Sequence, residues 1–136
     1  MRRIATISLI IGTLMVPLQL TAASFDGSVP LLCSVVQIVE CGTGQDCFPV
    51  TAEMAGIPPF LKIDFKAKTI TATEDSGRED VSAIKSIEHI DGKMIMQGSE
   101  NGRGWTIVIS EKTGEMSATV SDDKAGFIVF GASTKD

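Results

Sequence analysis

His89 is the only histidine of the chain, so acid–base chemistry near neutral pH would depend on it. Its neighbour Glu88 is a carboxylate, but adjacent residues of a strand point to opposite faces, so the two would not form a dyad. The sequence contains no Gly-x-Ser-x-Gly motif, and no orienting group for a triad is visible. We therefore expect a non-enzymatic protein without a catalytic residue, in which His89 is an ordinary surface or half-buried side chain.

The sequence gives little indication of a metal site or a phosphate site. Asp75, Glu79 and Asp80 supply the oxygen ligands that calcium prefers, but their spacing does not match an EF-hand loop. The three cysteines lack the paired spacing of a structural zinc site. Gly102-Arg103-Gly104 lies outside any strand–loop–helix unit, so its glycines serve a turn rather than a phosphate cradle. We expect neither a metal nor a cofactor.

The first 23 residues have the three parts of a secretory signal peptide: the positive start Met1-Arg2-Arg3, the apolar run Ile4 to Leu20 and the small residues Thr21-Ala22-Ala23. The competing interpretation is a retained membrane anchor. The run is only just long enough to span a bilayer, however, and Pro17 interrupts it. We expect cleavage after Ala23, a periplasmic or secreted location, no membrane span after cleavage, and one mature β-rich domain at 24–136.

The charge of the chain argues against nucleic-acid binding. The 17 acidic residues outnumber the 12 basic ones, and the net charge is −5. Phosphate binding needs clustered lysine and arginine, and the sequence has no basic run. Removal of the leader takes away two arginines and no acidic residue, which makes the mature chain still more acidic.

The three cysteines predict one disulfide in an exported protein, because the compartment is oxidising. Cys41 and Cys47 are the expected pair, since two glycines in the short segment between them let the ends meet. Cys33 lies in an apolar run without a cationic neighbour, so we expect a buried, inert thiol. A Cys33–Cys47 bridge is the alternative if a hairpin brings these two residues opposite each other.

Short alternating segments separated by turns follow one another from Phe60 to Gly131. Leu61, Ile63 and Phe65 share one face of the first segment, and the last segment, Gly126 to Gly131, is apolar on both faces. About seven strands result, and tight turns such as Asp91-Gly92 force antiparallel neighbours. The sequence therefore predicts a mainly β fold with an antiparallel up-and-down meander.

The segment 30–40 decides whether the meander closes. Its density of β-branched residues favours a strand, although a buried helix starting at Pro30 is the alternative. Thr51 to Gly56 predicts one short helical turn with a cap at each end. An eighth strand at 30–40 would allow a small barrel of about eight strands, and the sequence leaves open whether that barrel is closed and whether it is hollow.

Three large side chains are candidates to line an interior cavity: Met94, Met96 and Trp105. Methionine adapts to irregular apolar spaces, and Trp105 begins an alternating strand. The simpler interpretation is that all three fill the core.

The leader, Phe25-Asp26-Gly27-Ser28, Pro30-Leu31-Leu32-Cys33 and the central Asn101-Gly102-Arg103-Gly104-Trp105 together resemble small, uncharacterised exported proteins of bacteria. The resemblance implies an exported β-rich domain and assigns no catalytic or binding residue. The resulting hypothesis is a small exported β-barrel-like domain that holds a small apolar ligand. The alternative is a protein-interaction module, such as an envelope accessory or an inhibitor, with an exposed apolar patch or an unpaired strand edge.

Overall fold

A computed structural model describes residues 24–74 and 80–136. The expected signal peptide at 1–23 lies outside these residues, as do Asp75 and Glu79. Nine strands and one short helix follow in the order β1 (Leu31–Gly42), β2 (Phe48–Val50), α1 (Ala52–Ala55), β3 (Phe60–Asp64), β4 (Thr69–Ala72), β5 (Val81–Ile90), β6 (Lys93–Glu100), β7 (Arg103–Ser110), β8 (Glu115–Ser121) and β9 (Ala125–Lys135).

The strands form a closed antiparallel barrel of eight strands, with β2 as one extra strand. Strands β3 to β9 pair in sequence order, as the meander predicts. Strand β1 closes the barrel because it pairs with β3 along one edge and with β9 along the other. Its pairing with β9 extends from Leu31↔Lys135 to Gly42↔Ala125. The segment 30–40 is therefore a strand, and the expected eight-stranded barrel is confirmed.

Turns and bulges set the register of the meander. Asp91 and Gly92 both have positive φ, as do Asn101 and Gly102. Positive φ at both central residues is the conformation of a two-residue hairpin turn that matches the twist of the strands. The spacing of Ile84 and Ile87, three residues apart, predicts a bulge in β5, and the strand has a register shift between Ile84 and Ser86. Strand β1 has a second shift between Val35 and Gln37.

Helix α1 is the expected short helical turn. The Thr51 side chain accepts a hydrogen bond from the backbone N–H of Met54 at its start, and Gly56 ends the helix with φ 64°. The side chain of glycine is only a hydrogen atom, so this residue adopts the left-handed conformation without strain. Ala55 is buried and places the helix against the barrel. No helix within 24–74 and 80–136 is long and apolar enough to cross a bilayer.

The two ends of the barrel differ. We call the end with the β5–β6 and β7–β8 turns the closed end, and the end with the β6–β7 and β8–β9 turns the open end. At the closed end, the backbone N–H of Phe25 donates to the Glu111 carbonyl oxygen at 2.8 Å. The Phe25 ring packs against the core, so the segment before β1 helps to cover this end. Fully buried side chains fill the interior above it, including Leu31, Ile63, Met94, Met96 and Ile109.

Candidate functional site: the barrel cavity

A cavity of about 370 Å³ lies in the barrel beneath the open end. This volume falls within the range of small-molecule pockets, roughly 300–1,000 Å³. Eight strands enclose an interior that side chains can fill or that can hold one small ligand, and here part of it stays unfilled. Apolar side chains dominate the wall, among them Leu61, Ile70, Ile107, Met116, Val120 and Val129.

The cavity remains unfilled partly because small side chains line it. Ala72 of β4 and Ala118 of β8 line the cavity where a larger side chain would occupy it. Strand β4 ends at Ala72 and β5 begins at Val81, both at the open end of the barrel. The segment Gly56 to Pro58, which follows α1, lines the cavity there. The cavity is thus bounded by the barrel wall and by the chain that leaves the helix.

Trp105, the only tryptophan of the chain, forms part of the cavity wall. Its indole N–H donates to the Ser82 hydroxyl oxygen at 3.0 Å. Its cross-strand partner is Gly98, and a Cβ atom at Gly98 would lie 2.2 Å from the indole Cζ2. The missing side chain lets the indole lie flat over β6, because cross-strand partners on one face are close neighbours. The hydrogen bond and the glycine together fix the position of the ring.

Four polar side chains surround the mouth: Asp80, Glu100, Asn101 and Arg103. Glu100 and Arg103 are cross-strand partners in the β6–β7 hairpin. Arg103 pairs instead with Asp122, from Nε to Oδ2 at 3.5 Å, and its guanidinium lies 5.4 Å from the centroid of the Phe127 ring. The mouth is therefore a polar rim above an apolar pocket.

The Asp122 carboxylate is held in its ionised form. The backbone N–H groups of Ala125 and Lys124 donate to its Oδ1 at 2.9 and 2.8 Å. These two hydrogen bonds lower the pKa of Asp122, and Arg103 adds a smaller effect in the same direction. Asp122 thus provides a negatively charged partner for Arg103 at the rim.

Met94 and Met96 do not line the cavity. Both are fully buried and belong to the hydrophobic core, and neither is among the residues that line the cavity. Of the three side chains proposed as cavity lining, the structure thus places only Trp105 in the wall. The alternation of β6 puts both methionines on the inner face, and Met96 lies opposite Ile107, whose side chain does line the cavity.

His89 lies at the closed end, away from the cavity. Its Nδ1 is 2.5 Å from Oε1 of Glu111, and about half of the side chain is exposed. The partner comes from the β7–β8 turn rather than from the adjacent Glu88, as the opposite faces of neighbouring strand residues require. Within 24–74 and 80–136, no three histidine, cysteine, aspartate or glutamate side chains are grouped closely enough to hold a metal ion.

Cys41 and Cys47 form a disulfide with an S–S distance of 2.05 Å, as the spacing predicts. The bridge joins the end of β1 to the chain that enters β2. Cys33 is a free, buried thiol whose Sγ lies 2.8 Å from the Ser133 hydroxyl oxygen. Burial raises the pKa of the Cys33 thiol to about 11, while the hydrogen bond to Ser133 opposes this shift. The thiol is therefore protonated at neutral pH and a poor nucleophile.

An apolar strip covers the outer face of β1 and β9, and we call it the outer strip. Phe130 and Ile128 alternate with inward residues of β9 and are exposed, and Ile128 is opposite Val39. Phe60, at the start of β3, continues the strip because it pairs with Ser34, which pairs with Ala132. Val36, at the register shift of β1, is 76% exposed. The sequence suggested this strip only through the doubly apolar pattern of the last strand.

The chain matches no protein-family model, no curated protein and no solved structure. Its function is therefore inferred from the barrel, the cavity and the outer strip.

Proposed function

We propose that the mature chain is an exported, non-enzymatic binding protein that holds one small, largely apolar ligand in the barrel cavity. The observation that carries the proposal is the cavity of about 370 Å³ in the barrel, with a mainly apolar lining. Protein interiors are close-packed, so an unfilled apolar space loses contacts that a ligand would restore. The leader at 1–23 supports export, because it has the charge and apolar pattern of a signal peptide.

The ligand would be bound mainly by burial of apolar surface. Each methylene group moved from water into the wall contributes about 0.8 kcal/mol. The polar rim would leave one end of the ligand in contact with Glu100, Asn101 or water, which orients it. The fluorescence of Trp105 can report ligand binding, because this residue is the only tryptophan of the chain and lies in the cavity wall.

A cavity-filling substitution tests the proposal. Ala118→Leu adds three carbon atoms to the wall, while Ala132→Leu adds the same atoms on the exposed outer face of β9. Octanol serves as the probe, with binding followed by Trp105 fluorescence and by calorimetry. We expect Ala118→Leu to weaken octanol binding at least about tenfold, because the new side chain occupies the space of the ligand. Ala132→Leu should bind octanol as the unchanged protein does.

Two results would contradict the ligand-binding role. One is equal octanol affinity in the two leucine variants, which would place the probe elsewhere. The other is a clean apo mass by native mass spectrometry of protein taken gently from its own compartment, together with no octanol binding. The same mass measurement tests export, because a mature chain would begin at Ser24.

The outer strip favours a second candidate function, a protein-interaction module whose partner presents an equally apolar, uncharged surface. Exposed apolar strips of this kind mark interaction sites more often than scattered single residues do. Phe130→Ser removes the most central ring of the strip, and Ile90→Ser removes an exposed apolar residue elsewhere on the barrel. A specific partner should be retained in pull-downs by Ile90→Ser and lost with Phe130→Ser, under oxidising and under reducing conditions. Retention by both variants, or by neither, would reject the strip as the contact surface.

A further inference from the structure

We infer that the ligand of the cavity carries a positively charged amine at one end of its apolar body. This inference rests on the proposed ligand-binding function and names the chemical class of the ligand. Two carboxylates and one guanidinium line the mouth of the cavity.

Glu100 is the carboxylate on which the inference depends most. It belongs to the inner face of β6, because it continues the alternation of Gly98, Met96 and Met94. It is half-buried at the rim, directly above the level of Trp105. An ionised carboxylate in this position accepts hydrogen bonds only, so it favours a ligand that donates them. A charged donor forms stronger hydrogen bonds with it than a neutral donor does.

Arg103 does not offset this preference. Asp122 is ionised and lies 3.5 Å from the Arg103 Nε, so the positive charge is already paired. The guanidinium also lies over the Phe127 ring at 5.4 Å, an arrangement that keeps it at the side of the mouth. The carboxylate of Glu100 then supplies negative charge at the opening. Its field attracts a cation and repels an anion.

The apolar wall of the cavity determines the chemistry of the rest of the ligand. Below the rim, the wall consists of aliphatic side chains and the Trp105 indole, whose N–H already donates to Ser82. A ligand with polar groups along its length would leave them without hydrogen-bond partners there. The fitting ligand is therefore an alkyl or arylalkyl body with its amine at the mouth.

Three probes of equal chain length separate the alternatives: octylamine, octanol and octanoate, each titrated into the mature protein at pH 7 and followed by Trp105 fluorescence and calorimetry. We expect octylamine to bind roughly fivefold tighter than octanol, since partly exposed ion pairs contribute up to about that factor. Octanoate should bind more weakly than octanol. The advantage of octylamine should shrink as the salt concentration rises, because exposed charges are screened.

A carboxylate substitution locates the charge. Glu100→Gln should remove most of the difference between octylamine and octanol while leaving octanol affinity within about twofold. Glu88→Gln makes the same charge change on an exposed residue of β5 near the closed end, and it should keep the full difference. The octanol titration in each variant also reports whether the cavity is intact.

The outcomes are distinguishable. Binding of all three probes with no preference for octylamine would overturn the amine inference and leave the ligand-binding function standing. Tightest binding of octanoate would also overturn it, and would indicate Arg103 as the contact for an anionic ligand. Failure of all three probes to bind would remove both the inference and the function on which it rests. An equal loss of preference in Glu100→Gln and Glu88→Gln would show that the mouth carboxylate is not the contact.

Discussion

The Trp105 indole lies over Gly98, its partner on the neighbouring strand, so closely that the glycine cannot carry a side chain. A Cβ atom there would be 2.2 Å from the indole Cζ2 and 2.7 Å from the Ala83 carbonyl oxygen. Both contacts are far shorter than van der Waals distance, and one of them involves backbone. The position of a cavity-wall residue is thus set by the absence of a side chain on the next strand.

Gly98→Ala should displace the indole and destabilise the barrel by about 1–3 kcal/mol, the usual cost of overpacking a core. The indole would also lose its hydrogen bond to Ser82. Thermal unfolding measures the stability, and the emission maximum of Trp105 reports its environment, which should become more polar. The ring movement should also weaken octanol binding in the cavity.

Gly104→Ala is the matched control, because Gly104 lies on β7 with no heavy atom within 4 Å of its hypothetical Cβ. It should leave the tryptophan emission unchanged, and its effect on stability should be within about 0.5 kcal/mol. Similar losses in both variants would mean that the strands tolerate no side chain at either position, rather than that the Trp105–Gly98 contact matters.

Replacing both Cys41 and Cys47 by serine should lower the free energy of unfolding by about 2 kcal/mol. The bridge closes a loop of only a few residues, so it restricts the unfolded chain modestly. For a domain of this size, the loss corresponds to a decrease of roughly 5–10 °C in Tm. Circular dichroism melts of the unchanged protein with and without reductant provide the comparison, and the double variant should not respond to reductant. An unchanged melting temperature would show that β2 and the bridge contribute nothing to the cooperative unit.

His89→Gln should leave ligand binding unchanged and reduce stability by no more than about 1 kcal/mol. The side chain is about half exposed, and its contact with Glu111 belongs to the closed end. Octanol titration and thermal unfolding check the two halves of this prediction. Loss of a cellular phenotype in a folded His89→Gln protein would instead support an enzymatic role for this residue.

The period-two alternation was sufficient to locate seven of the strands and the tight turns, because each strand buries one face. The bulge in β5 was also visible, since Ile84 and Ile87 are three residues apart. Local pattern could not establish the closure by β1 and β9, whose partners are about 100 residues apart along the chain. That pairing depends on the accumulated twist and length of every strand between them.

The cavity was harder to predict than the barrel. Trp105 is large and begins an alternating strand, and it lies in the cavity wall. Met94 and Met96 have the same apolar character in the sequence but lie in the core. A cavity is a difference between enclosed volume and side-chain volume, summed over many strands. Ala72 and Ala118 leave space only because both line the same cavity. Their common position depends on the register of the strands, which neither residue reveals by itself.

Because of Cys33, the free energy of unfolding should decrease as the pH rises from 9 to 11. Burial raises the pKa of this thiol from 9.0 to about 11 in the folded state, so the unfolded chain loses the proton first as the pH rises. The folded state then binds more protons than the unfolded state, and stability decreases with pH in that range. The stabilisation is fully present below pH 9 and is lost by about pH 11, and its total is about 2–3 kcal/mol.

Urea unfolding at several pH values measures this effect. The free energy of unfolding should decrease more steeply with pH for the unchanged protein than for Cys33→Ala, which has no thiol to titrate. Lys62, whose pKa is raised by its hydrogen bond to Asp136, is present in both proteins, so its contribution cancels in the difference. Iodoacetamide should label Cys33 in the unfolded protein and not in the folded protein at pH 7, because the side chain is fully buried. Equal pH slopes in the two proteins, together with rapid native labelling, would show that the thiol is accessible and ionises as in water.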